Sequence, residues 1–329
     1  MTNLQQRSAR RGSALPIVAA AGALTGLGIA LAWKAYSRQK ITHRVPLTSA
    51  LDAELQFVNL PSAGRVGFYA AGPFVRGRAP LLLVHSVNAA ASAFEMKPLF
   101  ERLARNRRVI ALDLPGFGFS SRINRDYTPA FMRDMLIDFV RMALKNTPVD
   151  LVALSLSAEF AALAAAAQPD LFRTLTLISP TGMGARARSV RANPGLLRAL
   201  QTQLWSRPLF DLLTSRPSLR FFTKQSARRR MPNEFTNYAY ATSHQPDAEH
   251  APFYFIAGKL FTPDIFETYL ALKQPIQLIY GRDPFAEYDY VDELVQRKNW
   301  HIVPLPRAGA LAHWDFPDLI ATKVEEHAS

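Results

Sequence analysis

One serine in this 329-residue chain stands where its hydroxyl could do chemistry. A Leu- and Val-rich run from Val149 to Leu154 follows Pro148, breaks at Ser155-Leu156-Ser157 and continues as an Ala-rich stretch to Ala167. That pattern reads as a buried parallel strand, a sharp turn and a helix laid against the sheet. Such a turn lifts the Ser155 hydroxyl above the sheet edge and points it at a helix N-terminus, where unpaired backbone N–H groups favour developing negative charge. A serine hydroxyl is nonetheless a poor nucleophile until a base takes its proton, and the base needs a carboxylate to fix its tautomer. The bland alternative is a plain strand-to-helix connection in which Ser157 caps the helix.

Composition narrows the chemistry. With 329 residues, 49% of them hydrophobic, the chain can bury one large α/β core with room for an insertion. The absence of cysteine excludes disulfides, thiolate catalysis and Cys-ligated zinc. The seven histidines are too scattered to suggest a metal site, and no cofactor is expected.

The elements that must hold Ser155 can be read in order. Glu54 to Leu60 and Arg65 to Ala70 read as two short strands joined by the turn-rich Pro61-Ser62-Ala63-Gly64. Leu81 to His85 is an apolar strand, followed by a helix carrying Phe94, Met96, Leu99, Phe100 and Leu103. Val109 to Leu112 is the next strand, and a helix around Phe131 to Leu144 leads to the Ser155 strand. After the Ala-rich helix come a strand at Thr174 to Ile178 and, past residue 275, Ile276 to Tyr280, a helix at Tyr290 to Arg297, a strand at His301 to Leu305 and a closing helix from Pro317. Strands alternating with helices at this spacing predict a mostly parallel sheet flanked by helices, joined by right-handed crossovers.

Two motifs carry a family resemblance. Ala153-Leu154-Ser155-Leu156-Ser157 resembles the nucleophile elbow Gly-x-Ser-x-Gly of the α/β-hydrolase fold, with alanine and serine at the small flanking positions. Asp113-Leu114-Pro115-Gly116-Phe117-Gly118-Phe119-Ser120 resembles the loop after the fourth strand of that family, at a distance from Ser155 that is also typical of it. The resemblance spans roughly residues 80–180, and more loosely 275–317. It implies an eight-stranded-type, mostly parallel sheet with a helical cap insertion. Ser rather than Asp at the elbow argues against the related dehalogenases and epoxide hydrolases.

The resemblance also implies site residues. It puts the nucleophile at Ser155 and the acid at Asp283, in Gly281-Arg282-Asp283-Pro284, one residue earlier than the commonest spacing. The histidine loop matches Arg307 to Asp315, but Ala310 fills the slot of the family's catalytic histidine and His313 comes three residues later. His313 is the expected base, and the alternative is a base-less module of the same fold. The backbone N–H groups of Leu156 and of Val87 or Ser86 are expected to form the oxyanion hole, with His85 structural. Glu159, four residues after Ser155, either pairs with a buried polar group or faces solvent.

Two stretches of the chain suggest a membrane. Ala14 to Trp33 carries no charge over a stretch long enough to span hydrocarbon, with basic residues on both sides, and reads as an uncleaved single-pass anchor. A cleaved signal peptide and a transit peptide are the rival readings, since no acid precedes Asp52. Between Thr181 and Met231 eleven basic residues face one acid, Asp211, which gives +10 of the chain's +13. Leucines and aromatics are interleaved there, as in basic amphipathic helices. The expected organisation is an anchor and linker at 1–45, core at 46–180, a basic helical cap at 181–274 and core at 275–329. The expected function is a membrane-anchored serine hydrolase acting on an ester or acyl group of a lipophilic substrate, the basic cap facing anionic lipid and no nucleic acid bound. The alternative is a non-catalytic module of this fold that binds a lipid-like ligand or a partner protein at the membrane.

Overall fold

The computed structural model describes residues 28–185 and 190–329. Among the described residues the strands are β1 (Leu55–Leu60), β2 (Gly64–Ala71), β3 (Leu81–Val84), β4 (Val109–Leu112), β5 (Val149–Leu154), β6 (Phe172–Ile178), β7 (Ile276–Tyr280) and β8 (Trp300–Pro304). They form one sheet in the order β1-β2-β4-β3-β5-β6-β7-β8, antiparallel at β1-β2 and β2-β4 and parallel from β4 to β8. The expected fold class is therefore present in its sheet and flanking helices. β3 and β5 are buried at every residue, which is why they read as apolar runs rather than alternating ones, β5 broken only by Asp150.

The helices are α1 (residues 28–40), α2 (Lys97–Leu103), α3 (Pro129–Ala143), α4 (Ser157–Ala167), α5 (Pro194–Leu200), α6 (Ser206–Leu213), α7 (Arg216–Ser226), α8 (Asn233–Ser243), α9 (His250–Ile256), α10 (Ile265–Ala271), α11 (Val291–Val295), α12 (Ala312–Asp315) and α13 (Pro317–His327). Helix α3 starts where the Thr128 hydroxyl accepts from the Phe131 N–H with Pro129 in the first turn. It buries Met132, Met135, Leu136, Phe139 and Val140, one face at helical spacing. Helix α4 is buried on nearly every side, because its alanines keep it thin enough to fit between α3 and α10.

Buried charges fix both ends of the sheet. At the N-terminal edge of the strands Arg107 Nη2 lies 2.6 Å from Asp150 Oδ2, each side chain 1% exposed, and Asp150 also accepts from the Thr174 hydroxyl. At the C-terminal edge the Asp113 carboxylate accepts from the Ala93 N–H at 2.7 Å and the Phe119 N–H at 2.8 Å, which folds the Asp113 to Ser120 loop over itself. Gly118 is required there: its φ is +49°, and a Cβ would sit 1.9 Å from the Asp113 carboxyl carbon.

Helices α5 to α10 are inserted between β6 and β7. They lie against the loops at the C-terminal strand ends: Phe94 stacks on Tyr238 with centroids 4.6 Å apart, and Phe235 meets Trp314 edge to face at 5.2 Å. The segment that precedes the core is fastened to the same insertion. No helix among the described residues is long and apolar enough to cross a membrane. The stretch expected to span one, Ala14 to Trp33, lies outside the described residues as far as residue 27. Its end opens α1, where Trp33 Nε1 donates to the Pro208 carbonyl at 2.7 Å and the Ser37 hydroxyl donates to Asp211 at 2.6 Å. Asp211 also lies 2.9 Å from His43 Nε2 and 3.2 Å from Arg207 Nε, so the lone acid of the basic segment is a buried fastener between α1 and α6.

Glu159 joins α4 to both ends of the insertion. It is 1% exposed, accepts from the Thr181 hydroxyl with one oxygen and from the Thr262 N–H at 2.7 Å with the other. Burial pushes its carboxyl up to about 7, with the hydrogen bonds from Thr181 and Thr262 opposing. The folded state thus holds the proton more tightly than the unfolded chain, so stability is fullest below the ordinary carboxyl range and is lost as pH rises to about 7. Between pH 5 and 8 the melting temperature of the wild type should fall about 3 °C further than that of Glu159→Gln. Calorimetry showing parallel curves for the two proteins would refute this.

Candidate functional site

The strand-to-helix turn after β5 forces Ser155 into left-handed backbone, φ 55°. For a residue with a Cβ such a conformation costs about 1–3 kcal/mol, and surrounding structure must hold it. Two bonds do so. The Ser155 N–H donates to the Ile178 carbonyl at 2.9 Å, which extends the β5-β6 pairing by one residue. The Ser157 hydroxyl donates to the His85 carbonyl, which ties the first turn of α4 to the end of β3. Ser157 therefore does not cap α4 as a side chain. Ala153, at the other small flanking position, is fully buried. The Ser155 side chain is half-buried and bonds to no protein group among the described residues.

Beside this turn lies the loop after β3. His85 bonds through Nδ1 to the Ser86 carbonyl and accepts from the Leu114 N–H at Nε2, 2.9 Å away. Burial lowers its pKa to about 4, so it is a neutral structural group. The Ser86 N–H donates to Glu95 Oε2 at 2.9 Å, which removes Ser86 from the two residues expected to offer a free amide there. The Val87 N–H donates to nothing among the described residues, and neither does that of Leu156. Both residues are buried, Val87 3% and Leu156 1% exposed. Unpaired amides on buried residues are costly unless something fills them.

Asp283 follows β7 as the resemblance implies, half-buried at the head of a turn where its Oδ1 accepts from the Phe285 N–H at 2.8 Å. Burial raises its carboxyl to about 6, against the opposing bonds from Phe285 and Ala286. No histidine among the described residues hydrogen-bonds to Asp283 or to Ser155. His313 is the residue that geometry separates most clearly from the expected triad. It sits in α12, fully buried, with Nε2 2.8 Å from the Glu95 carbonyl and Nδ1 enclosed without a partner. Burial holds its pKa down at about 4, so it stays neutral. Trp314 Nε1 donates to the same Glu95 carbonyl at 2.8 Å.

The loop between β8 and α12 explains this. Asp315 accepts from the Gly309 N–H at 2.8 Å and also from the Arg228 and Arg229 N–H groups, while the Leu311 N–H donates to the Ser226 carbonyl at 2.8 Å. Ala310 is held between those two anchored residues and is half-buried. The structure thus brings Ser155, Leu156 and Val87 to one corner of the sheet edge, sets Asp283 at the end of β7, and turns His313 onto Glu95. Sequence reading missed Glu95 altogether. The one available signal was an acid between Phe94 and Met96 in an apolar helical stretch.

Known proteins bear on this geometry in three ways. A family model described as the alpha/beta hydrolase family matches residues 81–323, well over half of the chain. A (lyso)-N-acylphosphatidylethanolamine lipase from Bos taurus is 25% identical over 293 residues, covering 82% of this chain and 85% of its own. Among solved structures, a serine hydrolase involved in carbazole degradation superposes with a TM-score of 0.67 at 18% identity, over 84% of this chain and 98% of its own. A membrane phospholipase A, described as a bacterial virulence factor, superposes with a TM-score of 0.60 at 19% identity, over 95% of this chain and 96% of its own. At those identities the two structures speak for the fold alone. The family match, together with the strand order and the turn at Ser155, makes this chain a member of the alpha/beta hydrolase family, a family of hydrolytic enzymes.

Proposed function

We propose that this chain is a serine hydrolase that cleaves or transfers an acyl group of a lipid-like ester. Ser155 is the nucleophile, the N–H groups of Leu156 and Val87 receive the oxyanion, and Asp283 is the acidic member of the site. The observation that carries this reading is the pairing of a strained serine, φ 55°, with two unpaired amides on buried neighbours. In the reaction the Ser155 oxygen adds to the acyl carbonyl as its hydroxyl proton is given up, and the carbonyl oxygen gains the charge that those amides stabilise. The acyl C–O bond breaks with that proton passing to the departing alcohol, and water or an acceptor alcohol then takes the acyl group and returns a proton to Ser155. The lipid-like substrate class is supported by the lipase relative, whose match covers most of both chains.

The histidine expected as base, His313, enters this reading with a different bond from the one a base needs. Its Nε2 is engaged by Glu95, and a ring whose pKa is near 4 is poorly matched to taking a proton at neutral pH. We therefore read His313 as a brace on the Glu95 carbonyl rather than as the base.

Association with a membrane is part of the proposal. The insertion serves as a cap over the site and exposes Leu204, Leu212, Phe221 and Phe222 among Arg216, Arg220, Lys224, Arg228, Arg229 and Arg230. Helix α1, which continues the apolar N-terminal stretch, docks beside them through Trp33 and Ser37. An anchor ending in α1 would hold this basic face close to anionic headgroups, each basic residue contributing about 1 kcal/mol.

Three outcomes test the proposal. A fluorophosphonate probe should label the folded wild type and not Ser155→Ala; a folded, unlabelled wild type would leave a lipid-binding module of the same fold as the better reading. Turnover of a p-nitrophenyl ester should drop more than tenfold in His313→Ala yet less than about fivefold in His313→Gln, whose amide can still donate to Glu95; equal loss in both would restore His313 as the base. Protein lacking residues 1–27 should float with phosphatidylserine vesicles at low salt and sink at 0.5 M salt; salt-independent flotation would remove the arginines from membrane binding.

A further inference from the structure

Glu95 is a carboxylate 4% exposed in the short 3-10 turn Ala93–Met96, and burial pushes its carboxyl above the usual range. Burying a carboxylate is costly unless donors surround it. Its two oxygens both face the loop after β3: Oε2 accepts from the Ser86 N–H at 2.9 Å and Oε1 from Asn88 Nδ2 at 2.7 Å. Asn88 Nδ2 also donates to the Ser86 hydroxyl at 2.9 Å, and Asn88 Oδ1 accepts from the Ala90 N–H at 2.8 Å. The Ser86 N–H, the Ser86 hydroxyl and both ends of the Asn88 amide are thereby tied down. From the other side, the Glu95 carbonyl is gripped by His313 Nε2 and Trp314 Nε1, both at 2.8 Å.

We propose that Glu95 is a positioning residue for the oxyanion hole, fixing residues 86 and 88 through its carboxylate so that the amide between them, Val87 N–H, stays free for the substrate oxygen. The inference rests on reading Ser155 as a nucleophile. An anion hole works by being set before the charge arrives, so a loop that has to find its place during reaction loses part of the stabilisation. A purely structural carboxylate would need its donors but would have no reason to leave the central amide of the loop unsatisfied. The Ser86 N–H, the donor nearest in the chain, is the one Glu95 removes from competition. The same network explains a histidine in α12 that touches neither Ser155 nor Asp283: it braces, through a backbone carbonyl, the residue that sets the loop.

The test uses the full-length chain and two readouts, the rate of fluorophosphonate labelling and kcat against KM for a p-nitrophenyl ester. Glu95→Gln keeps the shape but faces one of its two donors with an NH2 group. It should slow labelling and lower kcat by about ten- to a hundredfold, short of the ~10²–10³ lost with an oxyanion donor itself, with KM changed less than threefold. Adding Asn88→Asp should restore most of that loss, because the new amide at position 95 can then accept from the Ser86 N–H and donate to the new carboxylate at position 88. Wild-type rates in Glu95→Gln, or a double variant no faster than the single one, would overturn the proposal while leaving Ser155 as nucleophile. Should Glu95→Gln fail to fold, Asn88→Ala, at a half-buried position, takes its place: a three- to tenfold loss in kcat supports the proposal and an undiminished kcat overturns it. A folded wild type that the probe does not label overturns both readings.

Discussion

The left-handed turn at Ser155 is the constraint on which the rest of the C-terminal sheet edge depends. Its backbone is costly for a residue with a side chain, and it persists because neighbours on both sides hold it: Ile178 of β6 through the Ser155 N–H, and the end of β3 through Ser157. β3 and β5 are in turn fixed by full burial, and β5 by the Arg107–Asp150 pair at its far end. A strained serine raised above a rigid, dry strand leaves its hydroxyl and the next amide unpaired. That combination is what makes the corner chemically useful.

A second theme is the use of buried carboxylates as acceptors for loop amides. Loops that meet above a sheet carry N–H groups with no ladder to join, and burying them unpaired is expensive. Asp113 takes two such groups for the loop after β4, Asp315 takes Gly309, Arg228 and Arg229 where the histidine loop meets the insertion, and Glu159 takes Thr262. Asp211 performs the corresponding task with side chains, gathering Ser37, His43 and Arg207. At Glu159, Glu95 and Asp113 desolvation outweighs the direct hydrogen bonds that oppose it, and each carboxyl is raised. Glu95 belongs to this set and differs in where it stands, under the loop that leaves Val87 unpaired.

The insertion between β6 and β7 is joined to the core by two of these acids, Glu159 and Asp315, and by an aromatic cluster of Phe94, Phe235, Tyr238 and Trp314. Its outward face keeps leucines, phenylalanines and arginines exposed together. The inner face packs as a core does, and the outer one leaves apolar and basic side chains side by side. Helix α1 is docked onto the same body through Trp33 and Ser37.

What the sequence by itself determined was the order of elements and the position of the serine turn. Short apolar runs such as Leu81 to Val84 and Leu151 to Leu154 read as central strands, and a serine between such a run and an alanine helix stands at the turn. The Asp113 to Ser120 loop was legible for a local reason, since Gly118 leaves room for a carboxylate five residues earlier. The direction in which a buried polar side chain points was decided by tertiary structure alone. His313 and Glu95 are 218 positions apart, and no local pattern tells that one ring will turn to the other's carbonyl rather than to Ser155. The same holds for Ser86 and Val87, adjacent in sequence, whose amides part company because a carboxylate from the next turn takes one and leaves the other. Local periodicity places a backbone, whereas hydrogen-bond partners are settled by which donors and acceptors are buried together once the chain has closed.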